Sequence, residues 1–274
     1  AKGDRGQGVP ASGSTGQVLA KKTDTDYDTE WRTPLSLGDD APAMDGTASA
    51  GSATTAARSD HVHPLYNQFV RPNLLDNWYF VGGGSQLGYG VFPINQRGQT
   101  SYTGNATRTL DRWTLRGSAT LSVASNGITV GADNAFHGII QSVTNGVDNL
   151  KGKTVTLSAL ISAVTGSGNG VIQLSNGASA NVIGTSIATK SFSDVGLVTL
   201  TTTIPSNLSN AYFNVSVNAT DTNNFGFTVQ AIKLELGSTQ TVAHQENGTW
   251  VLNEVPNYHT ELAKCQAYLY PFSF

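Results

Sequence analysis

Thr154-Val155-Thr156-Leu157-Ser158-Ala159-Leu160-Ile161 alternates polar and apolar side chains along most of its length. A period of two marks a strand with one face on a core and the other turned outward. Tyr212-Phe213-Asn214-Val215-Ser216-Val217 repeats the pattern, as does Phe225-Gly226-Phe227-Thr228-Val229. After Ala231 the apolar set moves by one residue, to Ile232, Leu234 and Leu236, and a β-bulge there would absorb the slip. Shorter strand candidates lie at 112–115, 119–123, 127–130, 138–143, 171–174 and 198–204, with Asn126-Gly127, Asn145-Gly146 and Asn176-Gly177 read as turns between them. Strands this short and numerous predict an all-β head over 73–274, a β-sandwich of the jelly-roll kind. Tyr258, Leu262, Cys265 and Leu269 share one helical face, with Pro256 near the start and Pro271 past the end. That spacing predicts one short helix over 257–269, with Cys265 as a small core residue.

Upstream of the head the character changes. Over residues 1–12, Gly3 and Gly6 keep the three-residue period with which a collagen-like triple helix ends, because only glycine fits at its axis. Residues 13–34 read as a small hairpin: a strand at Gln17–Ala20, turn chemistry from Thr23 to Asp28, and a return strand at Thr29–Trp31. Val18, Leu19 and Trp31 are its candidate mini-core. Residues 35–58, which open an extended region over 35–72, are rich in Ala, Gly, Ser and Thr and cannot bury enough surface to fold alone. An extended shaft or linker wound with partner chains fits them best, and a homotrimer is expected. The chain opens as if in mid-sequence, so more of the protein is expected upstream.

Only 13% of the residues are charged, against about 25% in ordinary soluble domains. With Gly, Ser, Thr and Asn abundant, the surface is polar but uncharged, which suits a neutral, hydroxyl-rich partner. The formal net charge is -3 and no Lys/Arg cluster occurs, so nucleic acid is not an expected partner. The single cysteine, Cys265, permits no intrachain disulfide. No apolar run is long enough for a membrane-spanning helix, so membrane insertion is not expected. A Gly-x-Ser-x-Gly elbow, a phosphate loop, His-Glu-x-x-His and Cys-x-x-Cys are all missing, and the expectation is a protein that is not an enzyme.

The best binding candidate is the aromatic, glycine-rich stretch from Trp78 to Tyr102. Trp78, Tyr79, Tyr89 and Tyr102 could stack on sugar rings, and Gln96 and Arg97 could hydrogen-bond to them; Trp78 is equally a core candidate. Asp111-Arg112-Trp113 reads as a strand start, with a core Trp and capping charges. Lys233 and Glu235, two apart on one strand, read as an exposed pair. His137, His244 and His259 have no ligand spacing. His61 and His63 point the same way in an extended segment. Two imidazoles do not close a site, but three chains would bring six to a three-fold axis, enough to surround an octahedral transition metal.

Several of these motifs resemble known ones. Gly16-Gln17-Val18-Leu19-Ala20-Lys21-Lys22, followed by Thr25-Asp26-Tyr27-Asp28-Thr29-Glu30-Trp31, resembles a hairpin module of bacteriophage tail-fibre proteins, often found after a collagen-like shaft. Asn73-Leu74-Leu75-Asp76-Asn77-Trp78-Tyr79-Phe80, Asn95-Gln96-Arg97-Gly98, Asp111-Arg112-Trp113, Ile232-Lys233-Leu234-Glu235-Leu236-Gly237 and Glu261-Leu262…Cys265-Gln266-Ala267-Tyr268 follow an order similar to that of tail-fibre head domains. The His61-Val62-His63 segment resembles fibre-tip motifs whose trimers hold iron. The head's wider kin resemble jelly-roll carbohydrate-binding modules, many with a calcium where the first strand meets the last. Asp76 could serve such an ion, but Gln230 and Lys233 stand where an acid would be needed, and calcium is not expected. The resemblance implies the receptor-binding tip of a phage or phage-tail-like particle. Such a tip is joined to the rest of the fibre upstream, assembled in the bacterial cytoplasm and extracellular after release. It would bind a bacterial cell-surface receptor, a glycan, without cutting it. The rival readings are a polysaccharide-cleaving tailspike and a purely structural fibre segment.

Overall fold

The computed structural model describes residues 9–37, 55–56, 70–83, 91–133, 135–143, 147–219 and 224–268. The chain divides into two compact units, Ala1–Gln68 and Phe69–Phe274.

In the first unit, β1 (Val18–Lys21) and β2 (Thr29–Arg32) form an antiparallel hairpin with Leu19 opposite Trp31. Lys22 N–H donates to Asp28 O at 3.0 Å, and the Thr23 hydroxyl donates to the Asp28 carboxylate at 2.5 Å, so the turn is closed by its own side chains. Trp31 is the anchor. Its indole N–H reaches Pro10 O at 2.9 Å, and its ring lies so close over Gly13 that a Cβ there would sit 2.6 Å from it. Val18 and Leu19, expected to share this mini-core, are half-exposed instead. Two short strands, β3 (Ser36–Leu37) and β4 (Thr55–Ala56), pair in parallel. His61 and His63 lie outside the described residues.

The second unit carries β5 (Ser101–Thr103), β6 (Thr107–Arg108), β7 (Thr114–Arg116), β8 (Thr120–Ala124), β9 (Gly127–Asp133), β10 (His137–Ser142), β11 (Thr154–Thr165) and β12 (Gly170–Gly177). It continues with β13 (Thr185–Phe192), β14 (Gly196–Thr203), β15 (Tyr212–Ala219), β16 (Phe225–Leu236), the hairpin β17 (Ala243–Glu246) and β18 (Thr249–Leu252), and one helix, α1 (Tyr258–Gln266). Two six-stranded sheets form, ordered β13-β12-β15-β10-β7-β6 and β14-β11-β16-β9-β8-β5. The chain passes repeatedly from one sheet to the other, as in a jelly roll. Leu157, Val229 and Leu234 from one sheet meet Ile139, Ile172, Leu174, Val215 and Val217 from the other in a single core. Each such side chain contributes about 1.5–3 kcal/mol on burial.

The slip near Ala231 is a bulge. Leu160 pairs with Ala231 and Ile161 with Val229, which leaves Gln230 extra on β16. The 73–80 segment uses the edge this frees. Leu74 N–H donates to Leu234 O, Phe80 N–H to Gln230 O, and Ile232 N–H to Trp78 O, at 2.8–3.0 Å. It thus takes over from β9, whose pairing with β16 stops at Val229.

Three expectations are corrected. Asn176-Gly177 is no turn: it ends β12, and Asn176 Nδ2 donates to Asn210 O and Tyr212 O. Lys233 and Glu235 are fully buried, both 0% exposed. The segment around β17 and β18 covers their face and supplies partners, Glu254 to Lys233 at 2.7 Å and Thr241 N–H and hydroxyl to Glu235 at 2.6 and 2.5 Å. Buried charges persist only when paired in this way. The helix runs Tyr258–Gln266, shorter than expected, capped by Asn257, whose side chain accepts from Thr260 N–H. Cys265 is buried on it.

Candidate functional site

The loop from β6 to β7 is tight. Thr109 N–H bonds to Trp113 O and Trp113 N–H to Leu110 O, both at 3.0 Å. Between them Arg112 adopts φ of 75°, a left-handed conformation unusual for a side chain of this size. The turn sends Asp111 and Trp113 into the interior. Asn77, itself buried at φ of 50°, ties the loop to the rest of the head. Its amide donates to Ile94 O and Asp111 O, each at 2.8 Å, and its carbonyl accepts the Trp113 indole N–H at 2.8 Å. Its backbone N–H donates to Glu261 Oε2 at 2.8 Å, which fastens α1 to the same knot.

Arg112 then runs along the wall of a cleft of about 380 Å³. Its Nε lies 3.0 Å from Asp76 Oδ2, and its guanidinium stands 3.5 Å over the Tyr268 ring. Asn181 lines the same cleft. Its carbonyl accepts Ser142 N–H at 2.8 Å, its own N–H donates to the Ser142 hydroxyl at 2.7 Å, and Asn214 binds the same loop through Val182 O. Tyr212, at the start of β15, and Tyr268 are 40% and 43% exposed, and both line the cleft. Arg97 and Arg108 line it too, over a floor that includes Asp111, Trp113 and Cys265.

The electrostatics below the cleft are tight. Burial pushes the Asp111 carboxyl above the ordinary carboxylate value, against the hydrogen bond from Gln96 N–H and the charge of Arg97. Arg97 Nη1 is 3.6 Å from Asp111 Oδ1, beyond hydrogen-bond reach, and donates instead to Thr109 O at 3.1 Å. Burial also raises the Cys265 thiol far above its usual value, helped by Asp111, Asp76 and Glu261 nearby, so it is an inert core thiol. Those three carboxylates have partners in Gln96 N–H, Arg112 and Lys264 respectively.

Of the glycan-binding candidates named from the sequence, Arg97 is the one among the described residues that lines this cleft. Trp78 and Tyr102 are each 3% exposed and belong to the core. A ring packed there has no face left for a sugar, so the binding surface expected of them is corrected. Tyr79 is half-buried, edge-on to Trp78 and Phe92. Gln96 turns its side-chain nitrogen inward. Tyr89 lies outside the described residues. Arg108, Asn181, Tyr212 and Tyr268 were missed. The signal that was available is Asp111-Arg112-Trp113: its Trp is core as expected, but its charges line the cleft rather than cap a strand. Among the described residues, no group of three or more His, Cys, Asp or Glu side chains is placed to hold a metal.

No family model matches the chain, and no curated protein matches it. Solved structures do. The xylan-binding domain CBM22-1 from Paenibacillus barcinonensis Xyn10C is 16% identical, covers 62% of this chain and 98% of its own, and has a TM-score of 0.37. A xylan-binding module, CBM15, is 16% identical over 52% of this chain and 100% of that one, with a TM-score of 0.33. The enzymatically active domain of a Bacteriophage CBA120 tailspike is 14% identical over 46% of this chain and 19% of that one, with a TM-score of 0.33. At these identities and scores, function is read from the cleft and not from the neighbours.

Proposed function

We propose that the chain is the receptor-facing end of a bacteriophage tail fibre or phage-tail-like particle, and that its head holds a bacterial surface glycan in the cleft without cutting it. The observation that carries the binding reading is the pair of half-exposed tyrosine rings, Tyr212 and Tyr268, lining one cleft beside Asn181 and Arg97. Sugar rings present apolar faces for such rings and hydroxyls for such amides and guanidinia. Asn181 Nδ2 has no acceptor among the described residues, which leaves a donor for a ligand. The volume, about 380 Å³, sits in the ordinary range for small-ligand sites, roughly 300–1,000 Å³.

A single shallow site of this kind binds in the ~millimolar range, and three copies on one tip raise avidity by ~10² or more. A homotrimer is therefore the form that makes the site useful. The GQVLAKK…TDYDTEW hairpin and the low apolar content of 35–58 support the tail-fibre, trimeric reading. In that trimer His61 and His63 from each chain would meet on the axis and bind a late transition metal such as iron. Light scattering on the purified chain checks assembly, and a stable monomer at micromolar concentration would remove both trimer and metal. Elemental analysis of the trimer should give about one metal per three chains, lost in His61→Ala.

Binding itself is tested with host cell-wall polysaccharide. The chain should be retained on it with no new reducing ends, and Tyr212→Ala should lose most of the retention. Release of oligosaccharides would establish a depolymerase instead. Full retention by Tyr212→Ala and Tyr268→Ala together would move the site elsewhere.

A further inference from the structure

Three arginines, Arg97, Arg108 and Arg112, are among the residues that line the cleft. Their charges are not equally spent. Arg112 is paired with Asp76 at 3.0 Å, and Arg97 lies 3.6 Å from Asp111. Arg108 is exposed on the edge strand β6 and has no carboxylate or hydrogen-bond acceptor among the described residues. One cation is thus left over at the rim, in a chain whose formal net charge is -3. Asn181 Nδ2 adds a neutral donor on the wall of the same cleft. Donors with one uncompensated positive charge, beside aromatic faces, fit a sugar that carries an anion better than one that carries only hydroxyls.

We propose that the cleft selects an acidic saccharide and that Arg108 is the residue that meets its anionic group. This rests on the glycan reading above. The anion is a carboxylate or a phosphate ester oxygen; a guanidinium fork binds either, with charge-assisted bonds about twice as strong as neutral ones. Because Arg108 sits at an exposed rim, the selection is sensitive to salt, falling as screening shortens from about 10 Å at 0.1 M towards 3 Å at 1 M.

The test is retention of the full chain on three immobilised polymers: a polyuronate, a poly(ribitol phosphate) and a neutral xylan. At low salt at least one acidic polymer should be held about tenfold more strongly than xylan, as one charge-assisted contact implies. Whichever polymer is held identifies the anion. Arg108→Gln should remove most of that preference. Lys190→Gln, which deletes the same charge from exposed β13 away from the cleft, should keep it. Equal retention of acidic and neutral polymers overturns the selection while leaving glycan binding in place. So does an equal loss of preference in both variants, or none in Arg108→Gln. Retention of no polymer, charged or neutral, overturns the glycan reading itself. Thermal melts of the variants, matched to the parent, show that an altered preference is not a folding defect.

Discussion

Arg112 and Asp76 are bound at 3.0 Å across the 36 residues that separate them, with side chains only 12% and 15% exposed. The pair is inside the head's wall, so its partners cannot be replaced cheaply by water. Breaking one side of such a pair costs about 3 kcal/mol or more when it is well buried, and somewhat less here where some solvent reaches it. Arg112→Met should lower the free energy of unfolding by about 2 kcal/mol in urea titration. Asp76→Asn should lower it by less, because a neutral amide still accepts the guanidinium bond. A double-mutant cycle should return a coupling of about 1 kcal/mol or more. Strict additivity would mean that the two charges sit together without helping one another.

Asp111 supplies a pH signature. Its folded carboxyl lies above the ordinary value because burial penalises the charged form. A raised carboxyl binds its proton more tightly in the folded chain than in the unfolded one. The stability this gives is therefore fully present at pH below the unfolded value, near 3.8, and is lost as pH rises through the folded value. Asp111→Asn removes the titration. Measured as the stability of Asp111→Asn minus that of the parent, the difference should become more favourable to the variant from pH 3.5 towards pH 7. A difference that is flat with pH, or slopes the other way, would count against burial as the dominant influence on this side chain.

The fold was far more legible than the site. Alternation in β11, β15 and β16 exposes itself in sequence because one face of each meets the core, and even the bulge at Gln230 left its mark as a shifted apolar set. What escaped was structure whose burial comes from a third layer or from an edge. Lys233 and Glu235 look solvent-facing until the β17–β18 hairpin is placed over them, and the Asn247-Gly248 turn of that hairpin was not recognised. β13 is mostly polar and exposed, so it carries no period-two signal. The cleft draws Arg97, Arg112, Asn181, Tyr212 and Tyr268 from separate loops and strand ends. Only the β connections bring them together, and no local spacing records that.

Gly138 in β10 lies in the middle of its sheet, where a Cβ would run into Val217 O and Asn218 of the adjoining β15. The obstacle is backbone and cannot rotate away. Gly138→Ala should therefore destabilise the head by about 1–3 kcal/mol, the usual range for overpacking a filled site. Gly98, whose Cβ would meet nothing within 4 Å, is the control for added bulk, though its φ of 67° makes Ala strained there for a separate reason. Thermal denaturation of both variants and of the parent decides the point, and a Gly138→Ala melt at or above that of the parent would show that β10 and β15 can separate without cost.

Lys233 and Glu254 should respond asymmetrically to mutation. The lysine is 0% exposed and Glu254 Oε1 sits 2.7 Å from its Nζ, with the carboxylate side chain 30% exposed. The ammonium stands 5.9 Å from the centroid of the Trp78 ring, so an apolar group already borders the site. Glu254→Ala leaves the cation buried and without this partner, a loss of about 3 kcal/mol. Lys233→Met puts an apolar chain of similar length into the same slot and leaves Glu254 within reach of solvent. That exchange should cost less than about 1 kcal/mol, since replacing a buried ion by a well-packed apolar group is often close to neutral. The double variant Lys233→Met/Glu254→Ala should then recover most of what Glu254→Ala loses. Urea unfolding of the three variants gives the comparison directly. If Lys233→Met proves as costly as Glu254→Ala, the ammonium holds the β17–β18 cover down through its charge, and its aliphatic stem is not what fills the site.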